Sequence, residues 1–329
     1  YIVTDSASIL RDDSVYAAPD STEQQKGCIF AEGKLAFSGT AKLRIFAHGA
    51  DAIHSDKSVF IRRCSDIDIE SHGGDAIQAQ KHIRIEGGIV NINSTRAGSH
   101  GLIADSLISI AGGRTTILSN TTGHNEKRKN SRGIFCDSII SITGGIVKVK
   151  ESSLGGKGIR SGRDIYIKNA IVDVLTFGYD DKETSSKNKG IRANNDIHID
   201  SSRVRVRATN GWNEGLEAKH HLYLTSSLVE LKAHDDALNV GIDSDAKRKS
   251  DNRLAGNIIM NGGRLYTVSE MDATDSNGEI HINDGLVFSI SHGKGSRAFD
   301  CDFREFYIGP NAIVVGISNA ISPFTGKLL

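Results

Sequence analysis

The chain has 329 residues, and its 40 lysines plus arginines match its 40 aspartates plus glutamates, so the formal charge is zero. No global field draws such a protein to nucleic acid or to an anionic membrane, so any electrostatic function has to come from local segregation of charge. Three prolines and 35 glycines argue against a collagen-like or disordered chain, and no run of 18 apolar residues is there to span a bilayer.

The first stretch, "YIVTDSASIL", lacks the basic and long apolar regions of a signal peptide. Residues 1–26 read as an N-terminal capping segment, and a repeat takes over from residue 27. In each turn a small residue precedes an apolar anchor: Ile29, Ile53, Ile77, Leu102, Ile134, Ile159, Ile191, Leu216, Leu238, Thr274 and Phe299. Most intervals are 24 or 25 residues, with extremes of 22 and 36. Six and eight places after the anchor come apolar pairs such as Ile83 with Ile85, Ile108 with Ile110 and Ile140 with Ile142. Small pairs follow at 87–88, 112–113, 144–145 and 262–263, then a second alternating pair such as Val147 with Val149. Alternation with period two predicts half-buried strands, and the small pairs supply positive-φ turns.

A unit of this size cannot bury its own apolar face, whereas stacked neighbours can. The leucine-rich-repeat signature is missing. The expected fold is therefore all-β: a single-domain, right-handed parallel β-helix of about eleven coils over residues 27–329. At roughly 4.8 Å per coil it forms a rod of roughly 50 Å. The insertions at 119–131 and 176–189 fall at one corner of the coil, and that at 241–256 at another. Cys136 and Cys301 fall in a column of small inward residues; with Cys28 and Cys64 they read as four buried free thiols.

Stacking turns the repeat into columns. Two places before the anchor the column reads Asp51, Asp75, His100, Arg132, Lys157, Lys189, Glu214, Asp236, Asp272 and Arg297. One place after it the column reads His54, Gln78, Ile103, Phe135, Arg160, Arg192, Glu217, Asn239, Asp275 and Asp300. One edge of the rod is thus acidic, then basic, then acidic again. Glu214, Glu217, Asp235, Asp236, Asn239, Asp272, Asp275, Asp300 and Asp302 form a carboxylate block at coil spacing. Such carboxylates repel unless a cation sits between them, and Ca²⁺ with oxygen ligands at about 2.3–2.6 Å suits the spacing. A solvated acidic corner is the plain alternative, since Asp and Asn are ordinary turn residues. Asp51 with Asp75 makes a second, lesser candidate pair.

The basic block is Arg132, Lys157, Arg160, Lys189 and Arg192. Cations held at strand spacing suit a polymer that bears a carboxylate on each sugar; the alternative is a row of snorkelling surface cations. Trp212, the only tryptophan, and Tyr179 lie in nearby loops and are candidates to stack on sugar rings.

These stretches resemble a family. "KGCIFAEGKLAFSGTAKLRIFAHGADAIHS", "DDALN", "NGGRLYTVSEMDATDSNGEIHIND" and "SRAFDCDF" are similar to successive segments of bacterial carbohydrate-binding β-helix proteins. The resemblance covers nearly the whole chain. It implies a pectate-lyase-like fold, calcium, and binding rather than cleavage of cellulose and polygalacturonate. The implied calcium positions are Asp235, Asp236, Asn239, Asp272, Asp275, Asp300 and Asp302. Where family members carry "DDGI" turns, this chain has Arg132, Lys157 and Lys189, which departs from the pattern.

The favoured expectation is non-catalytic binding of an acidic polysaccharide by an exported bacterial protein, periplasmic or at the cell surface, with a lipid anchor upstream as an option. A calcium-dependent polyuronate lyase is the first alternative, with Lys157, Arg160, Lys189, Arg192 and Lys219 as candidate bases. A structural adhesin is the second.

Overall fold

The computed structural model describes every residue except 17–24, 64, 121–129, 183–184, 242–255, 303, 326 and 329. The described chain is all-β, and its strands pair in parallel around a closed apolar interior. Ten strands, from Gly27–Ala31 to Thr274–Ser276, stack in chain order into one sheet. In it the anchors stand directly opposite one another, Ile53 on Ile77, Leu102 on Ile134 and Ile159 on Ile191. Thr274 keeps that register against Leu238, and the Asp275–Asp300 bridge carries it to the Phe299 coil. This is a parallel β-helix.

The two apolar pairs of each repeat build the other two walls. Ile83, Ile108, Ile140 and Ile165 are successive partners in the second wall, as Val147, Val172 and Val204 are in the third. All of these point inward and are buried. Each such side chain contributes roughly 1.5–3 kcal/mol relative to exposure, so stacking rather than local propensity holds the coils. Residues Ile2–Thr4 and Ser8–Arg11 already pair with Leu35–Gly39 and Lys42–Ala47. Residues 2–11 therefore lay a partial coil onto the repeat. Near the C-terminus the second and third walls merge into 12-residue strands such as Leu222–Ala233 and Ile258–Ser269.

The small pairs sit where the second wall turns into the third. Gly88, Gly113 and Gly145 have φ of 81°, 72° and 76°. Further along, Asn169, Ser201 and Ser226 hold positive φ at the same corner, at 49°, 48° and 47°. A Cβ on Gly113 would lie 2.3 Å from the Gly88 carbonyl oxygen. Gly113→Ala should therefore lower stability by about 1–3 kcal/mol, read as a lower denaturation midpoint with an unchanged slope.

Cys136 and Cys301 are buried free thiols, but Cys28 is only half-buried, because its coil lies near the end of the rod. Burial pushes the Cys28 and Cys301 thiols up to about 11. Cys64 lies outside the described residues, as do most of the insertions at 119–131 and 241–256.

Candidate functional site: a cationic groove beside an aspartate column

The columns read from the sequence are continuous in space. His100, Arg132, Lys157, Lys189 and Glu214 are successive partners on the anchor sheet. Beside them run Ile103, Phe135, Arg160, Arg192, Glu217, Asn239 and Asp275. Arg132, Lys157, Arg160, Lys189 and Arg192 line one open groove of about 450 Å³, together with Glu217. Ser186 and Lys187, from the 176–189 insertion, close one side of it. That insertion is pinned by Asp180, whose carboxylate accepts the backbone N–H groups of Asn188 and Trp212, both at 3.2 Å.

The cations fall into two sets. Among the described residues, no carboxylate lies within ion-pair distance of Arg132, Lys157 or Arg160. Arg132 lies 4.2 Å above the Phe135 ring, with Arg160 at 5.6 Å from the same ring. The Arg132 Nη1 also stands 2.9 Å from His100 Nε2. The Nε atoms of Arg132 and Arg160 are buried without a partner. Lys157 donates to the Gly155 carbonyl at 2.7 Å and to the Ser186 hydroxyl. Burial, and then its cationic neighbours, depress the Lys157 ammonium to about 7 and the Arg132 guanidinium to about 10.

Lys189 and Arg192 differ. Lys189 pairs with Glu214 and lies 3.7 Å from Glu217; Arg192 is 3.2 Å from the same Glu217 carboxylate. Lys219 completes the cluster at 2.6 Å from Glu217. Burial alone would raise the Glu217 carboxyl, but Lys189, Arg192 and Lys219 outweigh it and hold it at about 2. Glu214 and Glu217, grouped from the sequence with the calcium ligands, thus stand as counter-ions closing one end of the basic block.

The aspartates two places before the anchor share a structural duty. Asp51 and Asp75 each accept a backbone N–H of the next coil, from Asp75 at 2.7 Å and His100 at 2.6 Å. Asp236 and Asp272 do the same for Asp272 at 3.0 Å and Arg297 at 2.5 Å. In the basic block that N–H finds a backbone carbonyl instead, Lys157 on Ser131 at 3.2 Å and Lys189 on Gly156 at 3.1 Å. Asp51 and Asp75 are further engaged by His54 at 2.7 Å and His100 at 3.0 Å. Little of that pair is left to bind an ion.

The later block is less satisfied. Asp235 is paired with Lys187 at 3.3 Å, and Asp300 with Arg297 at 3.3 Å. Asp302 turns back so that its N–H donates to Asp300 at 3.1 Å. Burial, then neighbouring carboxylates, push Asp236 up to about 8, raise Asp272 and hold Asp275 well above its ordinary range. Stacked carboxyls that resist ionisation are short of positive charge, and with Asn239 beside them the donors are all oxygen. In that respect the residues fit a hard cation. Among the described residues, however, the one set of three His, Cys, Asp or Glu ligand atoms within 4.8 Å of one another is Glu279, His281 and Glu305, on another wall. The aspartates would have to draw inward around an ion.

Trp212 and Tyr179 are 52% and 63% exposed, and neither lines the groove. His100 and Phe135, which cradle Arg132, were not singled out from the sequence; an aromatic on the rung below two arginines was the available sign.

Fold and site define a parallel β-helical protein with an open, charged groove along its anchor sheet. The family model of carbohydrate-binding domain-containing proteins matches residues 1–211 and again 182–309, and the chain belongs to that family. No curated protein and no solved structure matches it.

Proposed function

We propose that the protein binds an acidic polysaccharide in the cationic groove without cleaving it. The observation that carries this reading is the convergence of buried Lys157 with half-buried Arg132 and Arg160, three cations with no carboxylate partner among the described residues. Polymer carboxylates would supply the missing counter-charge. Asp236, Asn239, Asp272, Asp275 and Asp300 would hold Ca²⁺, which supplies the positive charge the column lacks. An exported protein at a bacterial surface or in the periplasm is the setting this function fits.

The lyase alternative gains from one observation only. A lysine at about 7 inside an anion-binding groove is placed as a general base would be. Electrophoresis through gels containing polygalacturonate separates the readings. The wild-type protein should be retarded and release no ultraviolet-absorbing unsaturated product, whereas a lyase would accumulate it. Arg160→Glu should weaken retention about 10-fold to 100-fold. Retention should also weaken as pH rises through about 7, where Lys157 loses its charge while uronates stay ionised. Unchanged retention of Arg160→Glu would remove the groove from the proposal.

A further inference from the structure

One column at the start of the second wall carries a series of ties between coils that breaks off. Asp164, Asp196, His221 and Asn257 stand on successive rungs, one place before the buried Ile165, Ile197, Leu222 and Ile258. Each of these side chains accepts the backbone N–H of the next member of the column. The acceptances are from Asp196 at 3.2 Å, His221 at 2.9 Å, Asn257 at 3.0 Å and Glu279 at 2.9 Å. Glu279 comes next in the column, with Glu305 on the rung beyond. Among the described residues its carboxylate makes no such tie. It turns instead to His281, two places along its own strand, whose Nε2 lies 2.9 Å away.

Two carboxylates thus stand directly opposite each other on adjacent strands, an arrangement that repels unless a cation lies between them. Among the described residues no lysine or arginine forms an ion pair with either, although Lys327 is the next member of the column. The ligand atoms of Glu279, His281 and Glu305 all lie within 4.8 Å of one another. The Tyr307 ring flanks the imidazole, with centroids 6.0 Å apart. We propose that these three side chains form a site for a divalent transition metal of the zinc type. One imidazole nitrogen and two carboxylate oxygens suit Zn²⁺, whereas Ca²⁺ and Mg²⁺ favour oxygen throughout. Zinc bonds of about 2.0–2.2 Å set tetrahedral ligand atoms roughly 3.3–3.6 Å apart, so the chelate closes with side-chain shifts of about 1 Å. The metal ties the 279–281 rung to the Glu305 rung, which on its far side pairs only through Glu305 and Phe306 with Lys327 and Leu328. A fourth position stays open to water. The site lies on a different wall from the cationic groove and the aspartate column, and rests on neither the acidic-polysaccharide nor the calcium reading.

The test is isothermal titration calorimetry of the full chain with zinc chloride at pH 7, with Ca²⁺ in excess to occupy the aspartate column. Wild-type protein should take up zinc in one saturable step that the excess Ca²⁺ does not suppress. His281→Ala and, separately, Glu305→Gln should each weaken that step roughly 10-fold or more. Glu305→Gln keeps the shape of an exposed side chain and so guards against misfolding of the histidine variant. His72→Ala, which removes an exposed histidine elsewhere on the rod, and Asp275→Asn should bind zinc as wild type does. Zinc should also raise the unfolding temperature of the wild-type protein and leave that of His281→Ala unchanged. The absence of a saturable step would overturn the site. So would displacement of zinc by Ca²⁺, or zinc binding unchanged in either His281→Ala or Glu305→Gln.

Discussion

Replacing Glu217 by Ala should destabilise the protein by about 3–5 kcal/mol, the largest effect expected of any single side chain in the basic block. The carboxylate is buried and faces Lys189, Arg192 and Lys219 at once. Removing it leaves Lys189, itself buried, with Glu214 alone as counter-ion. Like charges already crowd this end of the groove, so the loss is one of compensation and not of attraction alone. The pH dependence has a definite sign. The folded carboxyl titrates at about 2, below the ordinary glutamate range. Its stabilisation is therefore complete above that range and is lost as pH falls through about 2. Urea denaturation at pH 7 and at pH 3 measures both effects. Glu217→Ala with wild-type stability at pH 7 would mean that the three cations are solvated in ways the geometry does not indicate.

The second large effect concerns the aspartate column. Saturating Ca²⁺ should raise the unfolding temperature by about 5–10 °C, and by more at pH 8 than at pH 5. The folded Asp236 carboxyl titrates at about 8 and Asp275 is likewise raised well above the ordinary aspartate range. From about pH 4 upward the unfolded chain ionises these groups while the folded chain holds its protons. Without a cation, stability thus declines as pH climbs from about 4 to 8. A divalent ion reverses that decline and releases protons as it binds. Differential scanning fluorimetry in chelator and in excess Ca²⁺, at both pH values, gives the answer. Asp275→Asn should flatten the chelator profile and shrink the calcium increment. Identical melting with and without Ca²⁺ at pH 8 would eliminate the ion.

Much of the architecture was legible in the sequence. Two dozen residues separate Ile53 from Ile77, yet the small residue before each and the apolar pair after it mark them as neighbours. Register follows because a slip by one place would turn every inward isoleucine to solvent. The basic groove was legible for the same reason: a column is a spatial statement once the coil is known. What the columns did not disclose is exclusive pairing. Lys189 above Glu214, and Arg192 above Glu217, were visible as opposite charges on consecutive rungs, which is the sign of mutual neutralisation. Read as members of an acidic block, the glutamates were grouped with the aspartates, while the side chains nearest them are Lys189, Arg192 and Lys219. The aspartate bonds to the next coil's N–H were harder to foresee. Asp75, Asp236 and Asp272 lie just before strands of only three residues, whereas Asp51 opens a strand of five as Lys157 does, so strand length alone does not mark them.

Those aspartate bonds have a consequence for how such a protein can change. Where an aspartate side chain ties one rung to the next, that position is mortgaged to the scaffold and tolerates few replacements. Where a peptide carbonyl does the tying, at Lys157 and Lys189, the side chain is spared that duty and answers to its own neighbours instead, Ser186 for Lys157 and Glu214 for Lys189. On those rungs charges can change only as matched sets, Lys189 together with Glu214 and Glu217, so new ligand preferences can arise there while the outline of the molecule stays fixed.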